Sequence, residues 1–167
     1  KMLVPLGARL IGYAPALHRS AAIWEILKIQ PVALPELMAQ SDAVSLQMLY
    51  ASRYAGFINE AALMHCKPGQ AWVSVSRAAL FEPQALANAL RDGRIDTCLL
   101  DGAEEGLVAE GSLLHGLNNL IVTPRVAAHT HEARLRAHWY LVDRLHEASL
   151  DAVSVPGVVS GEPGPSP

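Results

Sequence analysis

Short apolar runs alternate with helix-patterned segments along this chain, and that alternation restricts the fold more than any other feature. The stretches "ARLIGYA" (8–14), "DAVSLQM" (42–48), "AWVSVS" (71–76), "DTCLLDG" (96–102) and "NLIVT" (119–123) have strand length and are rich in apolar and β-branched residues. Helix candidates with start and stop signals lie between and after them. "LPELMAQS" (34–41) carries Pro35 in its first turn, where a missing N–H costs little. "NEAALMHCKPG" (59–69) opens on the capping residue Asn59 and stops at Pro68-Gly69. "EPQALANALRDG" (82–93) is amphipathic, with proline at its start and glycine at its end. "HEARLRAHWYLVDRLHEASL" (131–150) places Leu135, Trp139, Val142 and Leu145 at helical spacing. Continuous apolar strands joined through helices predict a parallel sheet covered on both faces. Functional residues in such sheets collect just after the carboxyl ends of the strands. That places the interest at Ala14, 47–49, Arg77, 101–105 and Pro124-Arg125.

Composition removes several function classes. At 167 residues the chain has enough length for one real core, and 51% hydrophobic with 17% charged residues describes a globular protein, not a disordered one. A net charge of -3 without any Lys/Arg run argues against a nucleic-acid partner. No apolar stretch approaches membrane-spanning length and no signal-peptide pattern occurs, so neither a membrane partner nor secretion is expected. Cys66 and Cys98 match no metal spacing; the reading is two reduced thiols in a cytoplasmic protein, with a disulfide as the lesser alternative. The expected organisation is a folded segment at 1–150 followed by a flexible tail at 151–167, where "VPGVVSGEPGPSP" is rich in Pro, Gly and Ser.

The stretches "LGARLIGY", "SDAVSL", "INEAALMHCKPGQAWVSVSR", "ALANALRDGRI", "LLDGAEE" and "NLIVTP" resemble, in order and spacing, the nucleotide-binding domain of the D-isomer-specific 2-hydroxyacid dehydrogenases. The resemblance covers roughly residues 3–148. It implies an α/β fold with a Rossmann-like doubly wound parallel sheet. It implies hydride transfer between NAD or NADP and a small 2-keto or 2-hydroxy acid, in a homodimer, with no metal. Residue by residue, the family's substrate-carboxylate arginine matches Arg77 in "VSVSRAAL". The family's glutamate falls in strict register on Gly106, with Glu104 and Glu105 as the nearest carboxylates. The position of its proton-exchanging histidine is Arg125 in "TPRVAAHT". The aspartate that touches the nicotinamide amide matches Asp101, and Ser76 begins "SRAA" where the family has "SRGG" beside the cofactor.

Each part can be weighed physically. A guanidinium fork suits a planar carboxylate, so Arg77 reads as a clamp, against the plain alternative of a surface arginine. Arg125 stays protonated, with a pKa above ~12, and can stabilise an alkoxide but hardly exchange a proton. His129 and His131 follow in the same loop and are expected to be solvated residues at the start of the long helix. No GxGxxG turn occurs. The acidic residue expected after the second strand to bind ribose is Ala14, and Arg19 follows; that pairing suits the 2′-phosphate of NADP, unless Arg19 merely faces water. The chain opens on the end of the helix that should follow the first, central strand. "RLIGY" and "AVSLQ" are therefore expected to remain unpaired with each other, and the natural chain is expected to be longer, the alternative being that a strand from a second copy or the tail around "AVSVPGVV" (152–159) fills the gap. Three functions stay open: an oxidoreductase of this type with weak or absent activity, a catalytically silent nucleotide- or partner-binding relative, and a fragment of a longer dehydrogenase.

Overall fold

The structure, a computed structural model, describes residues 3–104 and 106–153. Glu105 and the expected tail from 154 onward lie outside the described residues. By internal contacts the chain divides into two units, Lys1–Ala127 and Ala128–Pro167.

The first unit holds six parallel strands in two sheets. Strand β1 (Ile11–Gly12) pairs only with β2 (Gln30–Pro31), while β3 (Ala43–Leu46), β4 (Gln70–Ser74), β5 (Ile95–Asp101) and β6 (Leu120–Thr123) form a four-stranded sheet in that order. Thus β1 and β3 do not pair, as the sequence predicts: the place of a central strand between them is taken by no described strand. The two sheets are tied instead by side chains. The rings of Tyr13 and Phe57 stack at 6.4 Å and 9°, and Arg9 Nη2 donates to Gln40 Oε1 at 3.0 Å.

Helices α1 (Ile23–Leu27), α2 (Leu34–Gln40), α3 (Glu60–Leu63) and α4 (Pro83–Arg91) connect the strands. Prolines sit in the first turn of α2 and α4. Asn59 Oδ1 accepts from Ala62 N at 3.1 Å and starts α3, which ends at Leu63, well before the expected Pro68-Gly69 stop. Helix α1 and strand β2 are additions to the sequence reading. Pro31 argues against a strand from sequence, but β2 is an edge, where a missing donor is tolerated.

The core lies on one face of the larger sheet. Met38, Leu63, Leu86 and Leu90 from the helices pack with Val44, Leu46, Trp72, Cys98 and Leu100 from the strands. On the opposite face of that sheet Val73 is 39% exposed and Ile121 46%. Small or polar residues (Ala43, Ser45, Ala71, Thr97) occupy much of that face, so the strands alternate more than their apolar look suggests. One polar side chain enters the core fully satisfied: Gln70 donates from Nε2 to the carbonyls of Met38 and Ser41 and accepts from Trp72 Nε1 at 3.2 Å. Both cysteines are free and buried, so there is no disulfide.

The second unit is described as one helix, α5 (His131–Val153), longer than the expected 131–150. Leu135, Trp139, Val142 and Leu145 are all exposed. No described helix is long and apolar enough to cross a membrane.

Candidate functional site

Two groups of candidate residues stand at the carboxyl ends of the strands. The first is built on β4, β5 and β6. Asp101, the last residue of β5, is 92% buried, and its carboxylate bonds to the end of β6 and to the segment after it. Oδ1 accepts from Thr123 Oγ1 at 2.6 Å and from Val126 N at 2.8 Å; Oδ2 accepts from Ala127 N at 2.9 Å. Bonds from a charged acceptor to backbone amides are strong ones, so this carboxylate fixes the turn that carries Arg125.

Arg125 itself has φ +57, a left-handed conformation uncommon outside glycine. Its side chain lies over Gly102, which follows Asp101. A Cβ at Gly102 would fall 2.2 Å from Arg125 Cγ and 2.9 Å from its Nε, and Gly102 also has φ +96. Glycine is therefore required there twice, by backbone conformation and by the arginine above it.

Arg77 follows β4, and Glu104 follows β5. Their side chains meet: Arg77 Nε donates to Glu104 Oε1 at 3.0 Å, with the side chains 51% and 31% exposed. The Arg77 guanidinium carbon lies 4.9 Å from the centre of the Tyr50 ring. Glu104 Oε2 is buried and has no donor among the described residues. Glu104 thus reaches a guanidinium, as the motif order predicts, and the guanidinium is that of Arg77. Ser76 is used structurally, its hydroxyl donating to the Leu46 carbonyl at 3.3 Å and so joining the ends of β4 and β3. His129 and His131 are exposed, in keeping with the plain reading of both.

The second group is at the ends of β1 and β2. A cavity of about 200 Å³ is lined by Gly12, Tyr13, Ala14, Arg19, Trp24 and Val32, among others. Arg19 Nη2 donates to the Pro31 carbonyl at 3.2 Å, which holds the guanidinium at the cavity's edge. No carboxylate lines this cavity. Arg19 also lines an adjoining cavity that includes Glu25 and Lys28, and a cation at this lip fits a phosphate-bearing nucleoside at least as well as a plain ribose. Gly12 serves packing: a Cβ there would meet Ile29 Cγ2 at 2.7 Å and the Trp24 ring at 3.0 Å. No cluster of His, Cys, Asp and Glu suited to a metal ion occurs among the described residues.

Sequence reasoning missed Tyr50 and the embrace of residues 123–127 by Asp101. The departure of "QMLYA" from the related "HLPLT" was the one available signal for Tyr50.

Comparison with known proteins places this geometry. Residues 1–127 match the model of the D-isomer specific 2-hydroxyacid dehydrogenase NAD binding domain. An (S)-sulfolactate dehydrogenase of Chromohalobacter salexigens is 32% identical over 143 residues, 86% of this chain and 46% of the relative. Among solved structures, apo D-lactate dehydrogenase from Escherichia coli superposes with a TM-score of 0.66 at 32% identity, covering 79% of this chain and 40% of the other. An acyclic imino acid reductase in complex with NADPH and D-Arg gives a TM-score of 0.72 at 25% identity, covering 90% and 46%. The chain therefore spans less than half the length of these relatives.

Proposed function

Since the chain belongs to the D-isomer-specific 2-hydroxyacid dehydrogenase family, as its NAD-binding domain, we propose that the whole protein binds NAD or NADP and exchanges hydride, weakly at best, with a small 2-hydroxy or 2-keto acid. The observation that carries this reading is Arg77, half exposed at the carboxyl end of β4 and fixed by Glu104. It holds the substrate carboxylate through paired N–H donors. When bound, the nicotinamide nucleotide supplies or accepts the hydride.

Arg125 stands at the position of the proton carrier and limits turnover. It stabilises negative charge on the substrate oxygen but remains protonated, so general acid–base catalysis is lost, a deficit of about 10²–10⁴-fold. Asp101 sets the position of Arg125 through the Val126 and Ala127 amides. Glu105 is the further carboxylate candidate of this loop. Arg19 beside Ala14 favours the 2′-phosphate of NADP over NAD.

Trp24 lines the nucleotide cavity and is a built-in reporter. NADPH is expected to quench tryptophan fluorescence in the purified protein, and Trp24→Phe to remove most of the change. Absence of quenching by both NADPH and NADH sinks the nucleotide reading. Turnover is followed with glyoxylate and hydroxypyruvate, and Arg125→His is expected to raise it. If nucleotide binds but neither form turns over, the second reading holds: a catalytically silent nucleotide- or partner-binding relative, which Arg125 already favours.

Assembly and compartment belong to the same proposal. Trp139, Tyr140, Leu141 and Val142 are exposed on α5 and suit a homodimer, tested by solution mass at micromolar concentration. Two buried free thiols suit the reducing cytoplasm.

A further inference from the structure

The Arg77 group contains two residues to which the family motifs give no such task. The family's glutamate register falls on Gly106, not Glu104, and Tyr50 stands where the related stretch has an aliphatic residue. Both nevertheless act on the same guanidinium. Glu104 Oε1 holds it in plane through Nε at 3.0 Å. The guanidinium carbon lies over the Tyr50 ring, 4.9 Å from its centre, and Tyr50 is itself partly buried against the core.

A half-exposed arginine normally samples many rotamers. One hydrogen-bonded partner and one aromatic partner remove much of that freedom. What they leave is the far edge: neither Nη atom of Arg77 makes a hydrogen bond to a described residue. The ion pair has no evident stabilising purpose. Pairs this exposed contribute little, and this one leaves Glu104 Oε2 buried with no donor among the described residues. An arrangement that is poor for stability and precise for orientation reads as a site held ready.

We propose that Tyr50 and Glu104 are positioning residues that aim the Nη1–Nη2 edge of Arg77 at the carboxylate of a small monocarboxylic acid, and that Glu104 sets the selection against dicarboxylates. This rests on the reading of Arg77 as the carboxylate clamp. The open edge offers two parallel N–H donors, which match one planar carboxylate end-on. The Tyr50 ring packs against the guanidinium carbon. The Glu104 carboxylate lies at the Nε end, opposite the open edge, and cancels the charge of Arg77 at longer range, so a second carboxylate on the ligand's neighbouring carbon gains no net attraction and meets screened repulsion. A neutral hydroxyl, keto or amide group on that carbon does not.

The test uses oxamate and oxalate, two small acids of similar shape that differ by one charge, and reads binding to the full protein by calorimetry. Wild type is expected to bind oxamate about tenfold more tightly than oxalate, the discrimination a nearby partly screened like charge gives. Glu104→Gln keeps an acceptor for Nε, removes the charge, and should bring the two ligands within about twofold. Tyr50→Leu should weaken oxamate binding about 2–5-fold, while Tyr50→Phe, which keeps the ring, restores it. In an Arg77→Met background Tyr50→Leu should have no further effect, which a merely structural role for Tyr50 would not produce. Equal or tighter binding of oxalate by wild type overturns the proposal, as does wild-type behaviour of Tyr50→Leu, unchanged selectivity in Glu104→Gln, or no oxamate binding at all. The dehydrogenase reading fails separately: oxamate selectivity kept with no NADPH or NADH quenching removes that reading and leaves this one.

Discussion

Replacing Asp101 with alanine is expected to release the segment that carries Arg125 and to cost the domain a large share of its stability. Asp101 is 8% exposed, and its carboxylate accepts at least three hydrogen bonds, from Thr123 Oγ1, Val126 N and Ala127 N. Hydrogen bonds to a charged group contribute about 1.5–3 kcal/mol each. They do not add fully here, because the freed amides regain water once the segment lifts. A net loss of about 3 kcal/mol follows, against about 5–15 kcal/mol for a whole domain. With a urea m-value of about 2 kcal/mol/M, the midpoint falls by about 1.5 M. The melting temperature should fall by about 6–12 °C, at about 2–4 °C per kcal/mol for a chain of this size. Asp101→Asn keeps one acceptor and turns the other into a donor facing donors, so a substantial part of the loss remains. Amide hydrogen exchange locates the effect: protection at Val126 and Ala127 should collapse while the Ile95–Leu100 amides of β5 change much less. A midpoint shift under about 0.3 M in Asp101→Ala, or retained protection at Val126 and Ala127, would refute the account of Asp101 as the anchor of this turn.

Three further outcomes are expected. Gly102→Ala combines a φ of +96 with a Cβ 2.2 Å from Arg125 Cγ, so it should destabilise by about 1–3 kcal/mol in thermal melts, and by more than Gly93→Ala, where φ is +77 but nothing lies within 4 Å. Burial pushes the Cys66 thiol up to about 11 and the Cys98 thiol up to about 12, so neither should react with iodoacetamide in the native protein at pH 8, and both should react in urea; rapid native labelling of either contradicts the packing. The Lys67 ammonium holds the Asp42 carboxyl below its ordinary 3.8, and the Arg94 guanidinium does the same for Asp92. A depressed folded pKa means the stabilisation is present above the ordinary value and drains as pH falls below it. Melting temperature should therefore decline below about pH 4, and Lys67→Met should show less of that decline; a Lys67→Met profile parallel to wild type would rule out the Asp42 contribution.

Some of this was legible in the sequence because it depends on near neighbours. The β-branched run at 71–76, the Asn59 cap and the prolines that open α2 and α4 act within one turn or one strand, and each produced its element. The unpaired edges of β1 and β3 were also foreseeable, since strand order in this fold follows from connectivity. Where local signals conflicted, the reading was incomplete: Pro31 hid an edge strand, and apolar runs concealed the small and polar residues on one sheet face.

The site was legible only as a set of positions. Sequence put Arg77, Asp101, Glu104 and Arg125 after successive strands, because parallel connections bring those ends together. It did not say which carboxylate meets which guanidinium. Arg77 and Glu104 are 27 residues apart, and Asp101 and Val126 are 25 apart. Such pairings depend on the register of β4, β5 and β6 and on an ångström of space above Gly102. Propensity and periodicity act through the backbone over a few residues. A hydrogen bond between loops exists only once the sheet has fixed both ends, and so the sequence determined the strands and the roster of candidates, while the tertiary structure decided their partners.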